Sequence, residues 1–163
     1  QPIARVRARK SGAFLSVRAV LGATADTMRP SDTEHPIEGL PAPDSVHGPE
    51  DAVSAQLDAL RRNDDPHENA GVQTAYNFAS PANRRSTGPL DRFVRMVRSD
   101  RYCVMIDFEE ATSGPIERSG NYATQRVTIT GDSGRTVTYE FGLSVQSTGS
   151  FRGCWMTDSV RVV

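Results

Sequence analysis

Cysteine is almost missing from this sequence of 163 residues: Cys103 and Cys154 are the only two. Two thiols do not build a disulfide framework for a chain of this length, and their spacing does not offer a zinc site. Both read as buried, apolar-like thiols; a Cys103–Cys154 pairing stays open, and the redox compartment is not fixed by them. Lysine is scarcer still. Lys10 is the single lysine among 19 cationic side chains, so nearly every cation is a guanidinium suited to bidentate contact with carboxylates. No run of about 18 apolar residues occurs, so no helix is expected to span a bilayer. The apolar fraction of 37% is low for a globular chain, even after the 13 glycines are added, and predicts that part of the chain packs into no core.

What is present is strongly segregated by charge. Residues 1–30 carry five Arg and Lys10 against Asp26 alone, a net charge of +5. Residues 31–70 sum to −8, and residues 71–163 to +2, so a net charge of −1 conceals a basic arm, an acidic stretch and a nearly neutral body. Gln1 stands where a Met would open a complete chain, which leads us to expect a processed product. Residues 1–25 contain no acid and are rich in Arg, Ser and Ala, the composition of an organelle transit peptide, and Val17-Arg18-Ala19 is similar to a plastid processing site. From Thr27 to Pro49 five prolines punctuate Ser, Asp and Glu, which predicts an extended linker. An arm without a core needs something to hold it, and its reach favours the surface of another protein.

Order begins at Pro49. Glu50 and Asp51 in a first turn, then Val53, Leu57 and Leu60 at helical spacing, predict an amphipathic helix ending at Arg61-Arg62-Asn63. A second helix is expected over 71–79, stopped by Pro81, and a third over 89–98 with Leu90, Phe93, Val94 and Val97 on its buried side. Strands are expected over 101–108, 121–130, 135–145 and 154–162, with Gly131-Asp132-Ser133-Gly134 as a hairpin turn. Helices before antiparallel strands imply an α+β layer: a curved antiparallel sheet wrapped over three N-terminal helices. The expected division is an arm at 1–49 and a domain at 50–163.

Three stretches carry a resemblance: EDAVSAQLDALRRND at 50–64, FASPANRR with TGPLDRFVRMV across 78–97, and FRGCWMTDSVRVV at 151–163. Their order is similar to a domain-of-unknown-function family found in bacteria and in plant and algal plastids. That family is part of the nuclear-transport-factor-like superfamily, so the resemblance implies a cone of curved sheet over three helices and a plastid setting. It brings no established reaction. Packing alone also accounts for each motif: Phe78-Ala79-Ser80-Pro81 closes a helix, Gly88-Pro89 opens one, and Trp155 fills the mouth or the core.

Enzymes of such a superfamily usually hold a carboxylate or histidine deep in the cone as a general base. His35, His47 and His67 all precede the strands, so none can come from the sheet. The remaining candidates are Asp107, Glu109 and Glu140, with Tyr102, Tyr122 and Tyr139 as proton donors. Alternation along 101–108 would place Asp107 beside Met105 on one face. GDSG at 131–134 matches a serine-protease phrase in letters only, no glycine-rich phosphate loop occurs, and Asp64-Asp65-Pro66-His67-Glu68 lacks the spacing of a calcium loop.

These readings lead us to expect a non-enzymatic accessory or linker subunit of a plastid photosynthetic complex, phycobilisome or photosystem, on the stromal side of the thylakoid. A mitochondrial setting is the second choice. No cofactor and no metal are expected. Arg5, Arg7, Arg9, Lys10 and Arg18 would bind acidic faces of neighbouring subunits, near a membrane surface, with nucleic acid disfavoured because only Phe14 could stack there. The alternative is a small-molecule-binding protein or acid/base enzyme using the cone cavity, with Asp107 or Glu140 as base. A cavity plugged by Trp155, Met105 and Phe141 would remove that alternative.

Overall fold

The computed structural model describes residues 35–163. The compact unit considered below runs from Leu40 to Val163. Among the described residues four α-helices precede an open, five-stranded antiparallel sheet.

The first helix, α1 (Pro49–Arg61), starts as expected, with Pro49 in the first turn and the Gly48 amide donating to Asp51 Oδ2 at 2.9 Å. Its stripe of Ala52, Val53, Leu57 and Leu60 is buried. α2 (Ala70–Phe78) lies centrally, with only Gln73 reaching partial exposure. Its N-cap residue, Asn69, adopts a left-handed φ of 63° and supplies no side-chain cap. The four N–H groups of the first turn nevertheless all find acceptors. Ala70 N donates to His67 O, Gly71 N to Asn63 O, Val72 N to Asn63 Oδ1 and Gln73 N to Asn69 O, at 2.8–3.0 Å. Asn63, just past the end of α1, therefore caps α2 from outside. At Gly71 a Cβ would lie 2.4 Å from Ala59 O, so only glycine permits this approach of the two helices.

α3 (Pro81–Thr87) was not among the expected helices. Ser80, held extended by Pro81, ends α2 and also caps the next helix, its Oγ accepting from Asn83 N at 3.2 Å. α4 (Leu90–Val97) buries Phe93 and Val97 and leaves Arg92, Arg95 and Arg98 exposed. The Phe93 ring meets Tyr76 of α2 at 5.0 Å.

The strand expected over 101–108 does not form. Tyr102 N and Cys103 N both donate to Ser99 O, and Cys103–Met105 is a 3-10 turn. Val104 and Met105 are both buried, which alternation forbids, because a tight turn directs neighbours inward together. The chain turns again at Asp107, at φ 54°, where Asp tolerates the left-handed region. Asp107 N donates to Leu60 O and its Oδ1 accepts from Asn63 N at 3.0 Å, which fastens this turn to the end of α1.

The sheet comprises β1 (Glu110–Ser113), β2 (Glu117–Ser119), β3 (Tyr122–Thr130), β4 (Thr136–Val145) and β5 (Trp155–Val162), in the order β1-β3-β4-β5 with β2 also on β3. β1 and β2 are short, polar and exposed, and lack the apolar alternation that marks the other three. The hairpin at 131–134 joins β3 to β4 as expected, with Gly134 N donating to Gly131 O at 2.9 Å. Ala123, Val127 and Ile129 of β3 and Tyr139, Phe141 and Leu143 of β4 form the buried face. The other face is polar: Thr128 bonds Thr138 at 2.9 Å, Thr130 bonds Thr136 at 3.0 Å, and Glu140 joins Arg126 and Arg161 across three strands. The pairing of β4 with β5 contains a bulge. Leu143 faces Thr157 and Gly142 faces Ser159, which leaves Asp158 as an extra residue without a partner in the ladder.

Candidate functional site

A cavity of about 340 Å3 opens between α3, α4, α1 and the bulged part of β5. Its apolar wall comes from Leu60, Phe93, Met96, Val97, Met105 and Phe141, with Ala75 and Val160 beside them. α3 contributes the opposite wall through Ala82, Asn83, Ser86 and Thr87, the side of that helix that faces inward. Ala82, Ser86, Asp158 and Ser159 are exposed and form the rim. Met105 and Phe141 line this space without filling it, and Trp155 is elsewhere, buried with the Arg118 guanidinium 4.9 Å from its ring centre.

Thr157 ties the walls together. Its carbonyl accepts from Ser80 N at 2.8 Å and from Asn83 Nδ2 at 3.1 Å, while its Oγ1 accepts from Gln56 Nε2 at 2.8 Å. This accounts for FASPANRR physically: the motif ends α2, caps α3 and docks both on β5, and Arg84 Nη1 also donates to Ala79 O. Gln56 is 3% exposed, and its Nε2 is held a second time by Ala52 O at 3.0 Å. The amide is thereby fixed in one orientation. Among the described residues nothing donates to its Oε1.

The expected acid and base candidates do not converge on this cavity. Asp107 is exposed and engaged with the end of α1, so the expected placement beside Met105 on a strand face is corrected. Glu109 is exposed at the start of the sheet, its carbonyl accepting from Arg61. Glu140 is on the polar face of the sheet, where the hydrogen bonds from Arg161 and Arg126 hold its carboxyl below the ordinary value, the reverse of a raised base. Of the tyrosines, Tyr122 is 68% exposed, and buried Tyr139 donates to Arg101 O at 2.7 Å, its phenol pushed up to about 12 by burial. Only Tyr102 lines the cavity, and its hydroxyl donates to Val160 O at 2.8 Å.

Cys103 and Cys154 are free thiols, and burial raises the Cys154 thiol with Asp44 adding to the effect. Among the described residues no cluster of His, Cys, Asp and Glu could hold a metal ion, and no helix is long and apolar enough to cross a membrane. The stretch 64–68 is an exposed loop, with His67 Nε2 bonded to Gln73 Oε1 at 2.8 Å. Arg5, Arg7, Arg9, Lys10 and Arg18, with the transit-like segment, lie outside the described residues.

Sequence reasoning missed the residues that do converge: Gln56, Asn83, Ser86, Thr87, Thr157 and Asp158. One was signalled. Gln56 lies three residues after Val53 and four before Leu60, a polar side chain inside an apolar stripe. Asp158 carried no such mark, because a bulge leaves no trace in composition.

The fold and the site together define an α+β domain with one face of its sheet covered by helices and an apolar, amide-bearing cavity at their junction. Residues 46–163 match the family described as Domain of unknown function (DUF4864), and the chain belongs to that family. No curated protein and no solved structure matches the chain.

Proposed function

We propose that the domain is a non-catalytic small-molecule-binding module of the nuclear-transport-factor-like, cone-shaped type, and that its ligand enters past α3. The cavity carries this reading: about 340 Å3 lies within the range of ligand sites, and its composition, an apolar wall with a few fixed polar groups, is the usual one for them. An apolar cavity of ~150 Å3 holds benzene, so this one has room for a two-ring body. Two observations support the non-catalytic assignment: Asp107 and Glu140 line other parts of the surface, and the acid at the rim, Asp158, is exposed.

The test uses the neutral dye N-phenyl-1-naphthylamine, whose emission rises in apolar surroundings. Enhancement should saturate at one dye per chain, and Ala82→Trp, a change at an exposed rim position, should reduce it at least tenfold. Equal enhancement in both proteins would refute the reading.

The segregated charge of the sequence supports a second reading that is compatible with the first. In it the chain is a non-enzymatic accessory subunit of a plastid photosynthetic assembly on the stromal side of the thylakoid. Arg5, Arg7, Arg9, Lys10 and Arg18 grip acidic faces of its neighbours. Removal of residues 1–34 should then abolish co-purification of those neighbours from plastid extract, and undiminished recovery would defeat it.

A further inference from the structure

We infer that the ligand of this cavity is an apolar molecule carrying a hydrogen-bond donor, an alcohol, amine or amide N–H, and that carboxylates and phosphates are rejected. The inference rests on the cavity reading and follows from what the lining can and cannot offer.

The acceptor in question is Gln56 Oε1, on a residue that lines the cavity. Gln56 Nε2 donates to Ala52 O at 3.0 Å and to Thr157 Oγ1 at 2.8 Å, and the Ala52 carbonyl, which can only accept, fixes the orientation, since a turned amide would set two carbonyl oxygens against each other. What remains is a carbonyl oxygen on a side chain 3% exposed, lining a cavity, with no donor among the described residues. An acceptor with no donor from the protein, on a side chain that lines the cavity, is open to a donor on the ligand. Of the donors nearby, Asn83 Nδ2 serves Thr157 O, the Tyr102 hydroxyl serves Val160 O and the Thr87 hydroxyl serves Asn83 O, which leaves the neutral hydroxyls of Thr157, Ser86 and Ser159 as the donors a ligand would meet.

The charge at the rim agrees. Among the described residues no Arg, Lys or His lines the cavity, and the one charged side chain that does is Asp158, set at the rim by the bulge. An anion entering here would shed water without gaining a cationic partner and would pass a carboxylate. A neutral donor meets no such barrier, and a cation, which also sheds water, is at least drawn toward that carboxylate. The cavity thus selects on two counts, a fixed acceptor inside and a negative group at the entrance.

The experiment displaces N-phenyl-1-naphthylamine from the full chain with four two-ring probes that differ in one group: 2-naphthalenemethanol, its methyl ether, 2-naphthylmethylamine and 2-naphthoate. The alcohol and the amine should bind about tenfold more tightly than the ether, the value of about one net hydrogen bond, and the naphthoate more weakly than the ether. Gln56→Met should erase the gap between alcohol and ether. Asp158→Asn, at an exposed position, should raise naphthoate affinity severalfold relative to that of the alcohol. If Gln56→Met fails to fold, the wild-type ranking decides alone. An ether equal to the alcohol, or naphthoate equal to either, overturns the inference while the cavity stands as a binding site. Absence of dye binding by the wild-type protein would instead sink the cavity reading, and this inference with it.

Discussion

Replacing Asn63 by leucine tests the account of how α1 and α2 are joined. Asn63 is fully buried; its Oδ1 accepts from Val72 N at 2.9 Å, and its Nδ2 donates to Asn69 Oδ1 at 3.1 Å and Asp64 Oδ1 at 3.3 Å. Leucine has nearly the same volume but can make none of these bonds. Its two lost acceptors keep other donors, since Arg98 bonds Asn69 Oδ1 and Asn69 N bonds Asp64 Oδ1, so these losses are small. The Val72 N–H is different. It is 0% exposed and has no other acceptor, so an unpaired donor there costs about 1–3 kcal/mol. With about 1 kcal/mol for the weakened donor bonds, the sum is about 3 kcal/mol, or roughly 10 °C in melting temperature for a domain of this size. Urea unfolding followed by circular dichroism measures the first quantity, and amide hydrogen exchange localises it, with protection lost at Val72 before the rest of α2. A shift below about 0.5 kcal/mol, or unchanged protection at Val72, would show that the first turn of α2 is capped by something else.

Two further predictions concern pH. The Tyr139 phenol has a folded-state value of about 12 against 10.0 for an ordinary tyrosine, so stability is intact below pH 10 and declines as pH rises toward 12. Tyr139→Phe should lack that decline, and the difference in absorbance at 295 nm between the two proteins should isolate one of the four phenols, ionising only on unfolding. The Glu140 carboxyl is held below its ordinary value of 4.5 by Arg161 and Arg126, so its contribution is present above that pH and fades below it. Glu140→Gln should flatten this acid limb of the stability profile, and added salt should shrink the difference; a profile identical in both proteins would disprove the coupling.

Helices with an apolar stripe were legible in the residues because burial on one side leaves a period. α1 and α4 announced themselves through Val53, Leu57 and Leu60, and through Phe93 and Val97. β3 and β4 did so by alternation. α3 was not legible by that route, since it buries no side chain, although Ser80-Pro81 is both a stop and a start. The error at 101–108 has the same origin. Seven largely apolar residues in succession fit a strand and a buried turn equally well, and tertiary bonds from Leu60 and Asn63 to Asp107 decided between them. Of the candidate site, Met105 and Phe141 entered the sequence reading only in a condition, that a cavity plugged by them and Trp155 would remove a binding role; whether large side chains fill a space or surround it depends on backbone separation, which no residue pattern encodes.

The extra residue in β5 lets Thr157 and Val160, three positions apart, point to the same face, where strict alternation would set them on opposite ones. Excising Asp158 would leave Thr157 against Leu143, Ser159 against Gly142 and Val160 against Phe141, the same partners in an unbroken ladder. The strand would straighten without turning over, and the cavity would lose the carboxylate on its rim. What this position contributes is therefore a local bend and a charge, while the pairing on either side of it is indifferent to its presence.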